Sequence, residues 1–178
     1  MTTLSPREIA EAGRLARQVS KTRRCATGIK GMDSLMQGGI PEKSLVLLSG
    51  SAGTGKTILA FQWLVSGALT GEPGVYVAME EEPEQIINEM SEFGWPIRKL
   101  IQEKKLNIVR PELYKYDLFM TAVEDAIDEV HAKRLVIDSI SVIGLYFEDP
   151  YKVRKAVFDL NRTIKRLNVT SLVITETK

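Results

Sequence analysis

The stretch Ser49-Gly50-Ser51-Ala52-Gly53-Thr54-Gly55-Lys56-Thr57 decides the fold of this chain. It has the spacing of a phosphate-binding loop: a glycine, four residues, and then Gly-Lys-Thr. Small residues let consecutive backbone N–H groups turn inward around phosphate oxygens. Lys56 offers a cation to the β- and γ-phosphates, and Thr57 offers a hydroxyl to Mg²⁺. The residues predicted to contact the nucleotide are Gly50, Ser51, Ala52, Gly53, Thr54, Gly55, Lys56 and Thr57.

The residues on either side of the loop supply the context that such a motif requires. Residues 44–49 form a short apolar run, which is typical of a buried parallel strand. Residues 57–69 carry apolar side chains at helical spacing and end at Thr70-Gly71. The N-terminus of this helix would direct its positive end at the phosphates. A glycine-rich turn without function is the alternative, and the strand and helix argue against it.

The composition is that of one globular domain. The chain has 178 residues, of which 44% are hydrophobic and 26% charged. A net charge of +1 creates no overall field that would attract nucleic acid or anionic lipid. The single cysteine, Cys25, cannot form an internal disulfide and indicates a reducing compartment. Because we find neither a membrane-length apolar run nor a signal peptide, we expect a cytoplasmic protein that does not engage membranes.

Strands and helices alternate along the rest of the chain. The predicted strands are 75–79, 106–109, 134–138 and 170–175. The predicted helices are 5–20, 32–36, 83–93, 118–130 and 151–167, and 95–103 is a short helix or an extended linker. Helical spacing places Phe93, Leu118 and Val157 among the inward-facing side chains. The alternation predicts an α/β fold with a mostly parallel sheet and helices on both faces, a three-layer αβα architecture.

Asp138 is a candidate metal ligand. It ends an apolar strand far downstream of the phosphate loop, where an acid can hold the Mg²⁺ shell directly or through water. The alternative is a strand-end aspartate that merely starts a turn. A phosphate loop in the same chain favours the metal role. For the neighbouring Ser139, a hydrogen bond to Asp138 and a cap on the following segment both stay open.

Glu80 and Glu81 are candidate catalytic residues. They lie where the second predicted strand leaves the sheet, and ligands of open α/β sheets bind at the carboxyl ends of strands. A carboxylate there can orient the water that attacks the γ-phosphate, or take a proton from it. The alternative is a solvated acidic run. Glu82 and Glu84 are interpreted as helix-start acids that favour the positive end of the helix dipole.

Two further motifs carry a resemblance to a known family. The run Thr27-Gly28-Ile29 and then Gly38-Gly39-Ile40-Pro41, which leads into the phosphate-loop strand, resembles the entrance to KaiC-type ATPase domains of the RecA superfamily. The run Met79-Glu80-Glu81-Glu82-Pro83 is similar to the family's apolar residue, glutamate pair, small residue and proline, although Glu82 departs from it. The resemblance implies ATP and Mg²⁺ as cofactors, and Glu80 and Glu81 as the catalytic pair. It also admits autokinase activity.

The resemblance has further implications for domain layout and assembly. It makes residues 25–178 a KaiC/RecA-like ATPase domain and leaves residues 1–24 as an N-terminal amphipathic helix with a basic tail. It places the fifth large strand between the loop strand and the Asp138 strand, so that Thr175 and Glu176 could sense the γ-phosphate. KaiC-type domains form rings, mostly hexamers, with ATP between subunits. Family domains also continue past the fifth strand, so we expect a fragment or a minimal version with a bare sheet edge, poor hydrolysis and irregular association.

Three functions compete at this point. The first is a slow ATPase that acts in signalling or timing with a partner protein. The second is a DNA-acting relative of recombinases, and the third is a nucleotide-binding scaffold without turnover. DNA engagement requires a basic or aromatic strip. The loop Tyr146-Phe147-Glu148-Asp149-Pro150 is aromatic but acidic and short, which argues against DNA.

Overall fold

The computed structural model describes residues 23–112, 116–142 and 149–177. The helix predicted at 5–20 and the aromatic pair Tyr146-Phe147 lie outside these ranges. The strands are β1 (Arg24–Cys25), β2 (Ile40–Pro41), β3 (Leu45–Gly50), β4 (Gly74–Ala78), β5 (Leu106–Val109), β6 (Arg134–Asp138) and β7 (Thr170–Glu176). The helices are α1 (Met32–Leu35), α2 (Lys56–Leu69), α3 (Pro83–Ser91), α4 (Ile97–Gln102), α5 (Tyr116–Val130) and α6 (Pro150–Leu167).

Five strands form a parallel sheet in the order β3-β7-β6-β4-β5. The α/β architecture predicted from the sequence is therefore confirmed. Strand β7 lies between the loop strand β3 and the Asp138 strand β6, as the resemblance implied. Because all five strands run in the same direction, their carboxyl ends meet along one side of the sheet.

Helices cover both faces of this sheet. Helix α2 buries Phe61, Trp63 and Leu64 on one face, together with side chains from α3 and α4. On the other face, α5 and α6 pack Val123 and Leu160 against the apolar side chains of β4, β6 and β7. The result is the predicted three-layer arrangement, with the layer of α5 and α6 opposite the layer that contains α2.

Three side chains predicted to face inward are exposed instead. Phe93 is 50% exposed because α3 ends at Ser91, and its ring stacks on Trp95 at 5.2 Å between centroids. Leu118 is 61% exposed, since the buried stripe of α5 runs through Phe119 and Val123, about 100° around the helix. Val157 is 38% exposed because the neighbouring Ala156 occupies the buried position. Regular apolar spacing identified these helices but did not fix which stripe is buried.

A small antiparallel pair, β1 with β2, was not predicted. It pairs Arg24 with Pro41 and Cys25 with Ile40, and Arg24 Nη1 donates a hydrogen bond to Gly39 O at 3.2 Å. Arg24 is thus part of a strand rather than of a solvated basic tail. Cys25 is buried, and burial raises the pKa of its thiol to about 11, which keeps it protonated at neutral pH.

Strand β3 forms one edge of the sheet within the described residues. Leu47, in the middle of β3, is 57% exposed. The edge strand is thus the phosphate-loop strand itself. That this edge is bare, and that it pairs with another chain, both stay predictions.

Candidate nucleotide-binding site

A pocket of about 290 Å³ lies at the carboxyl ends of the strands. Its lining includes residues 53–57 of the phosphate loop, Glu80 and Glu81 after β4, and Asp138 at the end of β6. It also includes two residues that the sequence analysis did not place there by spacing, Tyr76 and Glu176. The fold thus brings most of the predicted groups together in one pocket, whereas Gly50, Ser51 and Ala52 do not line it.

The phosphate loop adopts a backbone that requires glycine at specific positions. Gly53 and Gly55 have φ values of +74° and +82°, in the left-handed region that side chains disfavour. A Cβ on Gly50 would lie 2.8 Å from Thr54 Oγ1. The loop ends in α2, whose first residue is Lys56, so the positive end of a 14-residue helix adjoins the pocket. Such a helix start after a glycine-rich turn is suited to an anion.

The Lys56 side chain lies inside the loop. Its Nζ donates a hydrogen bond to Ser51 O at 2.8 Å and lies 3.9 Å from a carboxylate oxygen of Glu176. The Lys56 side chain is only 9% exposed. A buried ammonium at the base of a phosphate loop is a strong point charge for phosphate oxygens.

Thr57 and Asp138 come together across the pocket. Thr57 Oγ1 donates a hydrogen bond to Asp138 Oδ2 at 2.8 Å. The hydroxyl lies in the first turn of α2 and the carboxylate at the end of β6, so the contact joins two predicted metal-site residues that are 81 positions apart. Oxygen atoms of this kind are the ligands that Mg²⁺ prefers, usually with phosphates and water completing the shell.

The donor set fits Mg²⁺ held jointly with a phosphate better than a metal held by protein alone. No cluster of three or more His, Cys, Asp or Glu residues suited to a metal exists among the residues described. Mg²⁺ typically takes one or two protein oxygens and completes its octahedron with water and phosphate. Thr57 and Asp138 would hold it, next to the loop that would hold the phosphates.

Tyr76 is a site residue that the sequence analysis missed. Its hydroxyl donates to the same oxygen, Asp138 Oδ2, at 2.7 Å, and its ring packs on Phe61 with centroids 4.4 Å apart. Burial, followed by the negative charge of Asp138, raises the pKa of Tyr76 well above its usual range, so the phenol remains a donor. Tyr76 therefore fixes the orientation of the Asp138 carboxylate from beneath. A phenol inside an otherwise aliphatic strand was the available signal.

We expect Tyr76→Phe to weaken Mg²⁺ binding at this site by about tenfold, because hydrogen bonds to metal ligands contribute on this scale. The phenyl ring keeps the packing on Phe61, so circular dichroism should match that of the parent. Binding of a labelled nucleotide across a Mg²⁺ titration checks this. An unchanged Mg²⁺ dependence would mean that Tyr76 only fills space.

Glu80 and Glu81 follow β4 at the open side of the pocket. Ser139 Oγ donates to Glu80 Oε1 at 3.3 Å, so the Ser139 hydroxyl takes neither of the two roles considered from the sequence. Burial raises the pKa of Glu81, and the carboxylates of Glu89, Asp138 and Glu80 raise it further. A raised pKa makes a carboxylate a better proton acceptor at neutral pH.

The raised pKa of Glu81 also predicts a stability effect. The folded protein binds this proton more tightly than the unfolded chain, so the free energy of unfolding falls as pH rises above the usual value of 4.5. Glu81→Gln removes that loss. Glu81 is exposed, so solvent screening keeps the effect small. We expect the Tm of this variant to lie slightly above the parent's at pH 8 and to equal it at pH 4. Thermal melts at both pH values test this, and an equal offset at both would exclude ionisation as the cause.

The remaining acidic and polar residues near the pocket have identifiable partners. Glu82 contacts Arg110, and Glu84 accepts a hydrogen bond from Arg98 at 2.9 Å. Both therefore form surface ion pairs as well as adjoining the start of α3. Ser141 Oγ lies 3.3 Å from Thr175 Oγ1 and accepts from Glu176 N at 3.2 Å. These contacts tie the end of β7 to the segment after β6, and Glu176 also approaches Lys56.

The strand order and the phosphate loop define this chain as a RecA-type nucleotide-binding domain. The family model described as "ATPase: KaiC" matches residues 25–178. The chain belongs to the KaiC ATPase family.

Several relatives are similar over most of the chain. A UPF0273 protein of Pyrococcus furiosus is 39% identical over 171 residues, which cover 86% of this chain and 68% of that protein. The circadian clock oscillator protein KaiC of a Nostoc species is 39% identical over 161 residues, covering 84% of this chain but 31% of its own length. A crystal structure of a KaiC-like protein from Pyrococcus horikoshii matches with a TM-score of 0.81 and 41% identity, covering 88% of this chain and 71% of that one.

Proposed function

We propose that this chain binds Mg·ATP at the phosphate loop and hydrolyses it slowly, in the service of signalling or regulation. The observation that carries the proposal is the Thr57–Asp138 hydrogen bond of 2.8 Å beside a complete phosphate loop. The two oxygen groups of a Mg²⁺ site and the cation for the phosphates then adjoin one pocket. Membership of a family of ATPases supports the same conclusion.

Different residues of the pocket have different roles in the proposed hydrolysis. Backbone N–H groups of the loop and Lys56 would hold phosphate oxygens, and Thr57 and Asp138 would hold Mg²⁺, which would neutralise charge on the phosphates. Glu80 or Glu81 orients a water toward the γ-phosphorus and accepts its proton as the bond to the β-phosphate oxygen breaks. Lys56 then remains beside the charge left on the departing diphosphate.

Assembly and location complete the proposal. The resemblance to KaiC-type domains supports a ring of copies, expected to be hexameric, with ATP between neighbours. The buried thiol of Cys25 supports a reducing compartment, the cytoplasm. Within the described ranges, no helix is both long and apolar enough to cross a membrane.

One assay tests the proposal against its alternatives. Turnover of γ-labelled ATP is measured with Mg²⁺, with and without single-stranded DNA, and nucleotide affinity is measured in parallel. Slow phosphate release without DNA stimulation supports the ATPase, and label retained on the protein would add autokinase activity. Binding without turnover would establish the scaffold, and strong stimulation by DNA would establish the recombinase-like alternative.

A further inference from the structure

The outer faces of α5 and α6 carry opposite charges. Helix α5 contains five acidic residues and no basic one, whereas α6 contains six basic residues and one acidic residue. The two helices lie side by side on the same face of the sheet. The acidic residues of α5 are Asp117, Glu124, Asp125, Asp128 and Glu129, and the basic residues of α6 are Lys152, Arg154, Lys155, Arg162, Lys165 and Arg166.

Contacts between the helices establish their relative direction and level. Tyr116 OH donates to Ala156 O at 2.6 Å, and Arg166 Nη2 donates to Glu124 Oε1 at 2.6 Å. The start of α5 is therefore level with residue 156 of α6, and its middle is level with residue 166. The helices are therefore parallel, and the Arg166–Glu124 pair joins their surfaces. This is the one ion pair between α5 and α6 among the residues the structure describes.

The face that these helices turn to solvent also carries large apolar side chains. Leu118, Tyr151 and Phe158 are 61%, 73% and 67% exposed. On the helical wheel, Tyr151 and Phe158 share the outward side of α6 with Arg162, while Leu118 shares the outward side of α5 with Asp125. Exposed aromatic and aliphatic side chains among unpaired charges are typical of an interaction surface.

We propose that this α5/α6 face binds the same face of a second copy of the chain around a two-fold axis parallel to the helices. Rotation by 180° about this axis places the partner's α6 opposite α5 and the partner's α5 opposite α6. Each acidic helix therefore faces a basic helix. This rotation does not shift residues along the direction of the helices. Asp125 therefore lies at the level of Lys165 in the other copy. A two-fold axis across the helices would instead place α5 on α5 and α6 on α6, with like charges opposed. The charge pattern therefore selects one symmetry.

A second copy fits this surface better than a polyanion does. Nucleic acid could contact the basic and aromatic side chains of α6, but the acidic helix α5 lies directly beside them and would repel phosphates. Only a partner with adjacent negative and positive stripes satisfies both helices, and this chain has that pattern. Two helices about 10 Å apart and about 25 Å long bury about 1,000 Å² in total on pairing, the lower limit of a specific interface. The dimer is therefore weak and depends on concentration.

Reciprocal charge reversal tests the interface. One variant carries Asp125→Lys and Asp128→Lys on α5, and the other carries Arg162→Glu and Lys165→Glu on α6. Each alone opposes like charges and should dimerise at least about tenfold more weakly than the parent. An equimolar mixture should recover a heterodimer, because both of its helix contacts pair opposite charges. Sedimentation equilibrium without nucleotide measures the masses, and about 0.5 M salt should weaken the parent dimer.

The controls separate this interface from folding, ring assembly and nucleic-acid binding. Lys99→Glu with Lys104→Glu makes the same charge change on exposed residues elsewhere and should leave association unchanged. Circular dichroism reports folding, and Phe158→Ala provides a second variant that should weaken the dimer without a charge change. A monomeric parent, no recovery in the mixture, or mixed species larger than a dimer would each overturn the proposal. So would a monomeric parent that binds a labelled oligothymidine through α6.

Discussion

A Lys56→Ala variant is expected to bind ATP about 10- to 100-fold more weakly than the parent and to lose turnover, because charge-assisted hydrogen bonds contribute about 1.5–3 kcal/mol. The Lys56 ammonium lies against the loop carbonyl of Ser51 at 2.8 Å, within the pocket where phosphates would be held. Removing it takes away the cation and leaves the loop backbone intact. Lys56 also starts α2, where alanine is a good helix former. The fold should therefore survive.

Nucleotide affinity and circular dichroism, measured together, check the Lys56 prediction. Lys99→Ala removes an exposed lysine of α4 and serves as the matched control, with affinity expected to remain at the parent value. If folded Lys56→Ala protein binds ATP as the parent does, the phosphate loop is not the nucleotide site. Loss of the fold would be visible in the circular dichroism spectrum. The spectrum therefore distinguishes an unfolded variant from a folded variant that binds ATP weakly.

The sheet was predictable because its apolar runs are short and clearly bounded. Strands 106–109 and 134–138 agree residue for residue with β5 and β6. In β6, the aliphatic residues Leu135, Val136 and Ile137 are buried on both faces, which is the pattern of a parallel sheet. Strand β5 ends the sheet order and buries only Leu106, but its apolar residues are just as clearly bounded in the sequence. The position of the phosphate loop was also predictable, because a glycine pattern followed by Lys-Thr has few other structural uses.

The other features of the site and the fold could not be predicted. They depend on how the strands and helices pack together, which local sequence patterns do not encode. All five residues of β4 are buried, so the sequence does not distinguish the face of Tyr76 from that of Val75. Tyr76 reaches Asp138 only because β4 lies next to β6 in the sheet order. Likewise, Leu118 and Phe119 are both apolar, and the packing of α5 on β4 and α6 decides which is buried. The pairing of β1 with β2 is too short for a periodic signal.

Replacing both catalytic candidates, Glu80→Gln with Glu81→Gln, should leave Mg·ATP affinity near the parent value and reduce turnover by about 10²- to 10⁴-fold, the usual contribution of a general base. Glutamine preserves the shape of each side chain and can still accept the Ser139 hydrogen bond made to Glu80. It cannot accept a proton from water. The single variants identify the base, and the raised pKa of Glu81 makes Glu81→Gln the more damaging of the two.

The acidic-run alternative is tested by the neighbouring glutamates. Glu82→Gln and Glu84→Gln change the same charge in the same run, but these side chains engage Arg110 and Arg98 on the surface. We expect turnover within about twofold of the parent, since exposed ion pairs contribute little. Parent-like turnover in the Glu80/Glu81 double variant would refute the catalytic pair. Equal losses from all four positions would show that the negative charge of the run matters rather than any one base. A loss confined to Glu80 and Glu81 assigns the chemistry to the two carboxylates at the end of β4.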